Sequence, residues 1–188
     1  CQNTVIPNSV TSIDRGAFGG SSITSIVIPE SVEIIRDRAF ADCRSLLEIT
    51  IPEAVERIEY GTFQNCKSLK EVTIGSLVKI IDAYAFSNCQ NLALFTSLST
   101  VPPRIMSSFE EINPNAILRV PDVEAYRNSE WAQYFSEIVD LSYDDIDDVE
   151  IETNRNDAPA IIYDLSGRRV MNPVKGQIYI VAGKAVVM

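Results

Sequence analysis

Three cysteines, Cys43, Cys66 and Cys89, stand 23 residues apart. A thiolate can serve as nucleophile, metal ligand or disulfide partner. The chain holds no histidine. That removes Ser-His-Asp and Cys-His catalysis and the usual histidine-bearing zinc sites. Cysteines at one position of successive stacked turns point the same way. A disulfide instead needs Cβ atoms facing each other within about 4.5 Å, and three cysteines leave one over. Parallel thiols do not make a tetrahedron either. The spacing therefore predicts buried, reduced thiols acting as small hydrophobes, with no metal.

The acids repeat as well. Glu30 and Glu53 share a repeat position, as do Glu33 and Glu56, and Glu48 and Glu71. Stacked like charges repel. They imply a basic partner, a cation, or a solvated face where screening keeps the cost small. Arg36, Arg38, Arg57, Lys70 and Lys79 are near enough in sequence to neutralise part of it. The run Asp144-Asp145-Ile146-Asp147-Asp148 offers carboxylate oxygens to calcium but lacks the glycine and spacing of an EF-hand loop. It also reads as a solvated linker. Ser166 has no base at a diagnostic spacing, so no catalytic residue and no cofactor are assigned.

The elements that must position these residues are repeats. Ala17-Phe18, Ala39-Phe40, Thr62-Phe63 and Ala85-Phe86 recur every 22 or 23 residues. Ile6-Pro7, Ile28-Pro29 and Ile51-Pro52 open a repeat, with Ile74-Gly75 as the variant. Val10, Val32, Val55 and Val78 follow, then Ile13, Ile35, Ile58 and Ile81. After the cysteines, Leu46, Leu69 and Leu92 lead to Ile49, Val72 and Phe95. One such copy cannot bury its own apolar face; stacked copies form a continuous core. Ile49-Thr50-Ile51 and Val72-Thr73-Ile74 alternate as half-buried strands do. Pro52 lacks an N–H and ends its strand.

Charge divides the rest. The net charge is −10, from 16 basic and 26 acidic residues. A protein that tracks nucleic-acid phosphates needs the opposite sign. Residues 1–139 carry −6, residues 140–157 carry −7 and residues 158–188 carry +3. This predicts a solenoid over 1–139, with repeats at about 6–27, 28–50, 51–73 and 74–96 and a cap over 97–139. An acidic linker over 140–157 and a small β module over 158–188 follow. In the cap, Tyr126, Trp131, Tyr134 and Phe135 are expected to close the core. Pro121-Asp122 and Ser129 mark helix starts. No apolar run is long enough for a transmembrane helix.

The pattern I-P-x-x-[VL]-x-x-I-x-x-x-A-F-x-x-C-x-x-L-x-x-[IV]-x-[IL] resembles the BspA-type leucine-rich repeat of bacterial surface antigens, over residues 5–96. Ile117 to Pro121, Glu124-Ala125-Tyr126, Trp131, Phe135 and Ile138-Val139 resemble the segment that closes such solenoids. Ile162 to Val170 and Lys175 to Val181 resemble a C-terminal module similar to type nine secretion sorting domains, although this chain ends in Val186-Val187-Met188 rather than in a basic residue. The resemblance implies a secreted or cell-surface protein of an anaerobic bacterium. Cys1 would carry a lipid anchor only if it is the mature N-terminus; an internal boundary is the competing reading.

The expected fold is thus an α/β-type repeat solenoid. It is a short, right-handed leucine-rich repeat superhelix with one short parallel strand per turn of 22–23 residues, followed by a small all-β unit. The expected function is non-enzymatic binding of a macromolecule, through the concave strand face. Ser25, Val27, Glu48, Thr50, Glu71, Thr73, Leu94 and Thr96 are the candidate contact residues. Mostly polar and without aromatics, they favour a protein ligand, basic at the contact. A carbohydrate ligand would call for exposed aromatics, and a passive spacer needs no ligand.

Overall fold

The computed structural model describes residues 4–142 and, beyond them, strand residues 162–163, 169–170, 178–181 and 184–187. Two compact units, Cys1–Asp144 and Asp145–Met188, make up the chain. Cys1, the acidic run from Asp144 to Asp148 and Ser166 lie outside the described residues.

In the first unit each of the four repeats contributes one back strand and one front strand, all in parallel pairing. The front sheet joins β5 (Glu48–Ile51), β7 (Glu71–Ile74), β9 (Leu94–Ser97), β11 (Ile117–Val120) and β12 (Glu137–Asp140), in that order. Ahead of it, β1 (Thr4–Val5) pairs with β3 (Ile26–Val27). The back sheet joins β2 (Ser12–Ile13), β4 (Ile34–Ile35), β6 (Arg57–Ile58), β8 (Ile80–Ile81) and β10 (Arg104–Ile105). The strand expected from the Ile-Thr-Ile alternation is the front one. The return stretch, Val-x-x-Ile, adds a second two-residue strand rather than a helix. Its Ile faces the core, and its amides find carbonyls on the neighbouring turn, as Arg36 N–H does on Ile13 at 2.9 Å and Asp82 N–H on Ile58 at 2.9 Å. A stacked turn leaves backbone groups away from water, so pairing them with the next turn is the available solution.

The third side of each turn is built around the repeated phenylalanine. The N–H of Phe18, Phe40, Phe63 and Phe86 donates to Ala39, Thr62, Ala85 and Ser108 of the next turn, at 2.8–2.9 Å. The chain bends sharply on either side. Two residues before the ring, Gly16, Arg38, Gly61, Tyr84 and Ser107 have φ between 49° and 65°. Two residues after it, Gly20, Asp42, Asn65, Asn88 and Glu111 have φ between 56° and 71°. Glycine takes this left-handed region freely and Asn and Asp with little strain; other side chains do not.

The rings stack through the core. Phe18, Phe40, Phe63, Phe86 and Phe109 lie with centroids 5.0, 5.3, 5.3 and 5.5 Å apart and planes within 8° of parallel. Phe109 extends the column one turn past the four repeats counted from the sequence. Pro102 and Pro103 break the frame there, so that Ile105, not residue 104, pairs with Ile81. The front ladder continues further, through β11 and β12, across residues expected to form only a cap. Closure itself is aromatic. Tyr126, Trp131 and Phe135 are buried, with Tyr134 packed beside them. Trp131 sits 5.1 Å from Phe109, and its indole N–H donates to Pro103 O at 2.8 Å. Helix α1 (Val123–Arg127) starts where Asp122 accepts from Ala125 N–H, and a 3-10 turn (Glu130–Gln133) starts at Ser129. These are the two starts the sequence marked.

The second unit holds an antiparallel four-stranded sheet. Its order is β14 (Arg169–Val170), β13 (Ile162–Tyr163), β15 (Ile178–Val181), β16 (Lys184–Val187). Ile162-Tyr163 and Arg169-Val170 pair as strands in antiparallel register.

Candidate interaction face

The front strands alternate, as period-2 backbone must. Ile49 and Ile51, and Val72 and Ile74, are buried. Their neighbours Glu48, Thr50, Glu71 and Thr73 therefore point outward. The register sets Glu48 directly opposite Glu71 and Thr50 opposite Thr73. Glu48, Thr50 and Glu71 are exposed and Thr73 is half-buried. Ser25, just before β3, is exposed, and Val27, 80% exposed, lies opposite Val5, also 80% exposed. Leu47 N–H donates to Thr24 O at 3.0 Å and joins β3 to β5. The outward side thus runs from an apolar pair at Val5 and Val27 to a polar, acidic stretch over β5 and β7.

It ends sooner than the spacing suggested. Leu94 is 8% and Thr96 3% exposed, so neither offers a contact surface. Arg119 on β11 lies over Thr96, its Nε donating to Oγ1 at 3.2 Å. The repeat spacing carries no information about a neighbour contributed by the next, irregular turn. Val5 carries no repeat landmark because it precedes the first Ile-Pro, and only its pairing with Val27 places it on this side.

The three glutamate stacks have different fates. Glu30 accepts from Glu53 N–H at 3.3 Å, and Glu53 accepts from both the N–H, at 2.8 Å, and the hydroxyl of Ser76. That stack ties one turn to the next. Glu56 pairs with Lys79 at 2.8 Å. Arg36 pairs with Glu59 and Arg57 with Asp82, so these bases do not neutralise the front face. Among the described residues, no Lys or Arg is ion-paired with Glu48 or Glu71.

Cys43, Cys66 and Cys89 are free and buried. Each thiol donates to the carbonyl of the phenylalanine one turn back: Cys43 to Phe18, Cys66 to Phe40 and Cys89 to Phe63, at 3.1, 3.2 and 3.4 Å. Burial pushes all three thiols above their ordinary range, Cys89 up to about 12. A thiol held in its neutral form is a poor nucleophile. Ser21 takes the cysteine position in the first repeat, its Oγ 3.3 Å from Cys43 Sγ. No cluster of three potential ligands suited to a metal ion occurs among the described residues. No helix among them is long and apolar enough to cross a membrane.

The family comparison agrees with this architecture. The sequence model of the BspA type Leucine rich repeat region matches residues 1–117, in six copies. No curated protein matches the chain. A leucine-rich repeat protein from Bacteroides ovatus, known from its crystal structure, is similar at 20% identity and a TM-score of 0.45. The match covers 75% of this chain and 49% of that one, so the chain spans about half the length of that protein.

Proposed function

The chain belongs to the BspA-type leucine-rich repeat family, and we propose that it is a non-enzymatic binding protein of a bacterial surface. Its ligand is another protein, held on the outward side of the front sheet. The observation that carries this reading is the Glu48–Glu71 pair. The two carboxylates stand opposite each other on adjacent strands, and no cation of the described chain answers them. Strands in a sheet are about 4.8 Å apart, so the repulsion is standing and a basic ligand relieves it. Thr50 and Thr73 supply hydroxyls beside the pair, and Val27 and Val5 give an apolar flank. A matching segment carries Lys or Arg next to an apolar side chain. The turns that hold the face are hydrogen-bonded on three sides, which keeps it preorganised. The C-terminal residues 158–188, by their resemblance to sorting modules, fit a role in directing the protein to the surface.

A peptide library selected on the full chain tests this reading. Recovered peptides should be basic, and their affinity should fall for Glu48→Lys/Glu71→Lys. Peptides that bind the double variant equally well would place the ligand elsewhere. A chain that selects no peptide would overturn the reading of this face as a protein-binding surface.

A further inference from the structure

A second surface lies on the ridge formed by the phenylalanine turns. Two residues before the ring, the backbone is left-handed in every turn, and Gly16 and Gly61 meet that demand without strain. Arg38 and Tyr84 do not: their φ values are 53° and 59°. A long or aromatic side chain in this region is strained. Both side chains meet at Tyr60, which comes from the turn between them. The Arg38 guanidinium carbon lies 5.3 Å from the Tyr60 ring centroid. Tyr84 meets Tyr60 edge to face, with centroids 5.5 Å apart and planes at 76°. Gly61 makes the arrangement possible. A Cβ there would stand 3.3 Å from Arg38 Cγ, where the arginine stem crosses.

Like Lys67, Lys70 and Arg104, Arg38 stands outside the ion pairs of the described residues, and it is set apart from them by lying over an aromatic ring. Its sequence neighbours are matched: Asp37 with Arg15, Arg36 with Glu59, and Asp82, beside the tyrosines, with Arg57. Arg38 has no ion-pair partner among the described residues. Its contact is the Tyr60 ring, and a guanidinium stacked on an aromatic keeps its N–H edge free for a carboxylate or sulfate. Tyr60 and Tyr84 remain 37% and 36% exposed. A pyranose presents an apolar C–H face whose hydrogens are positively polarised, complementary to the negative face of an aromatic ring. A peptide docking as an added strand would need free main-chain groups. The ridge offers few, because the N–H groups of Arg38, Gly61 and Tyr84 already donate to Tyr60, Ala83 and Ser107.

We propose that Arg38, Tyr60 and Tyr84 form a binding site for an anionic saccharide, Arg38 taking the carboxylate or sulfate and the tyrosines the sugar ring. The site is distinct from the front sheet and independent of the reading given for it. The strain at Arg38 and Tyr84 is what maintaining the site costs.

The test is calorimetric titration of the full chain with four probes: an oligogalacturonate, a heparin-derived hexasaccharide, neutral maltohexaose and a glutamate-rich peptide. The first two separate carboxylate from sulfate recognition. Wild type should bind at least one of them and bind maltohexaose much more weakly. Arg38→Gln and Tyr84→Gly should each lose about tenfold or more in affinity, the scale of one charge-assisted or stacking contact. Tyr84→Gly should melt at the same or a higher temperature, because glycine suits the backbone there. That separates lost binding from lost folding. No binding of either anionic sugar in the millimolar range, equal binding of the neutral one, binding of the acidic peptide alone, or full affinity in both variants overturns the proposal.

Discussion

Phe40 and Phe63 lie face to face, ring centroids 5.3 Å apart and planes 7° from parallel. Each repeat adds one ring to this column, and each ring beyond the first is fully covered by its neighbours. Phe63→Ala should therefore cost roughly 3–5 kcal/mol, the range for a fully buried phenylalanine. Phe109→Ala should cost a similar amount, because Phe109 is buried between Phe86, Phe95 and the closing aromatics. Phe18 is half-buried with one stacked neighbour, and its loss should cost less. Urea titrations of the three variants give the ranking. A Phe109→Ala penalty below about 1 kcal/mol would detach that turn from the cooperative core.

The thiol column couples stability to alkaline pH. Burial raises the Cys89 thiol from 9.0 to about 12 and raises Cys43 and Cys66 in the same direction. Between the unfolded and folded values, the unfolded chain loses the proton and the native chain keeps it. Native stability is then complete below about pH 9 and declines toward about pH 12. Tyr126, buried and raised from 10.0 to about 12, acts in the same sense at the upper end. Melting temperatures at a series of pH values from neutral upward should show this fall, and Cys89→Ala should flatten it. Iodoacetamide at mildly alkaline pH should leave Cys66 and Cys89 unmodified until denaturant is added.

Two glycines should fail for different reasons. Gly20 has φ +71°, and a Cβ there would meet nothing within 4 Å. Gly20→Ala isolates backbone strain and should cost about 1–2 kcal/mol. Gly75 stands where the other repeats have proline. A Cβ there would come within 2.8 Å of Glu53 Cα and 3.0 Å of Pro52 O. Gly75→Ala must push two turns apart, a penalty of about 1–3 kcal/mol. It should also disturb the Glu53–Ser76 contact, visible as faster amide exchange at Ser76. Equal penalties with unchanged exchange would deny the close approach.

Where the repeat is regular, the sequence states the fold. The spacing of Phe18, Phe40, Phe63 and Phe86 gives the ring column, and the Ile-Thr-Ile alternation gives the front strands and the outward position of Glu48 and Glu71. Legibility stops where neighbours come from outside the period. Phe109 keeps the 23-residue step, but Pro102 and Pro103 erase the landmarks around it. Thr96 occupies the same position as Thr50, yet Arg119 covers it from a turn without the consensus. The Arg38–Tyr60–Tyr84 cluster was equally unmarked, because Arg38 and Tyr84 share a repeat position with glycines and Tyr60 precedes it by one. The trace it left was a side chain where Gly16 and Gly61 have none. The back strands are only two residues long, too short for any periodicity to register.

The front face should behave as an electrostatic docking surface. Glu48 and Glu71 stand opposite each other on adjacent strands, and among the described residues neither is ion-paired with a Lys or Arg. Replacing one of them with Gln should stabilise the free protein by a few tenths of a kcal/mol, the scale of a cross-strand charge pair. It should also weaken the ligand. A selected basic peptide should lose affinity as salt rises, since exposed charges are screened over about 8 Å at physiological ionic strength. Glu48→Lys with Glu71→Lys should slow association more than it speeds dissociation, because charges at the edge of a contact act mainly by steering. Val27→Ser should do the reverse and raise the dissociation rate, because its exposed side chain contributes through burial. Stopped-flow association and dissociation rates at two salt concentrations separate the two roles. Rates that respond to neither the charge reversal nor salt would remove the front sheet as the binding surface.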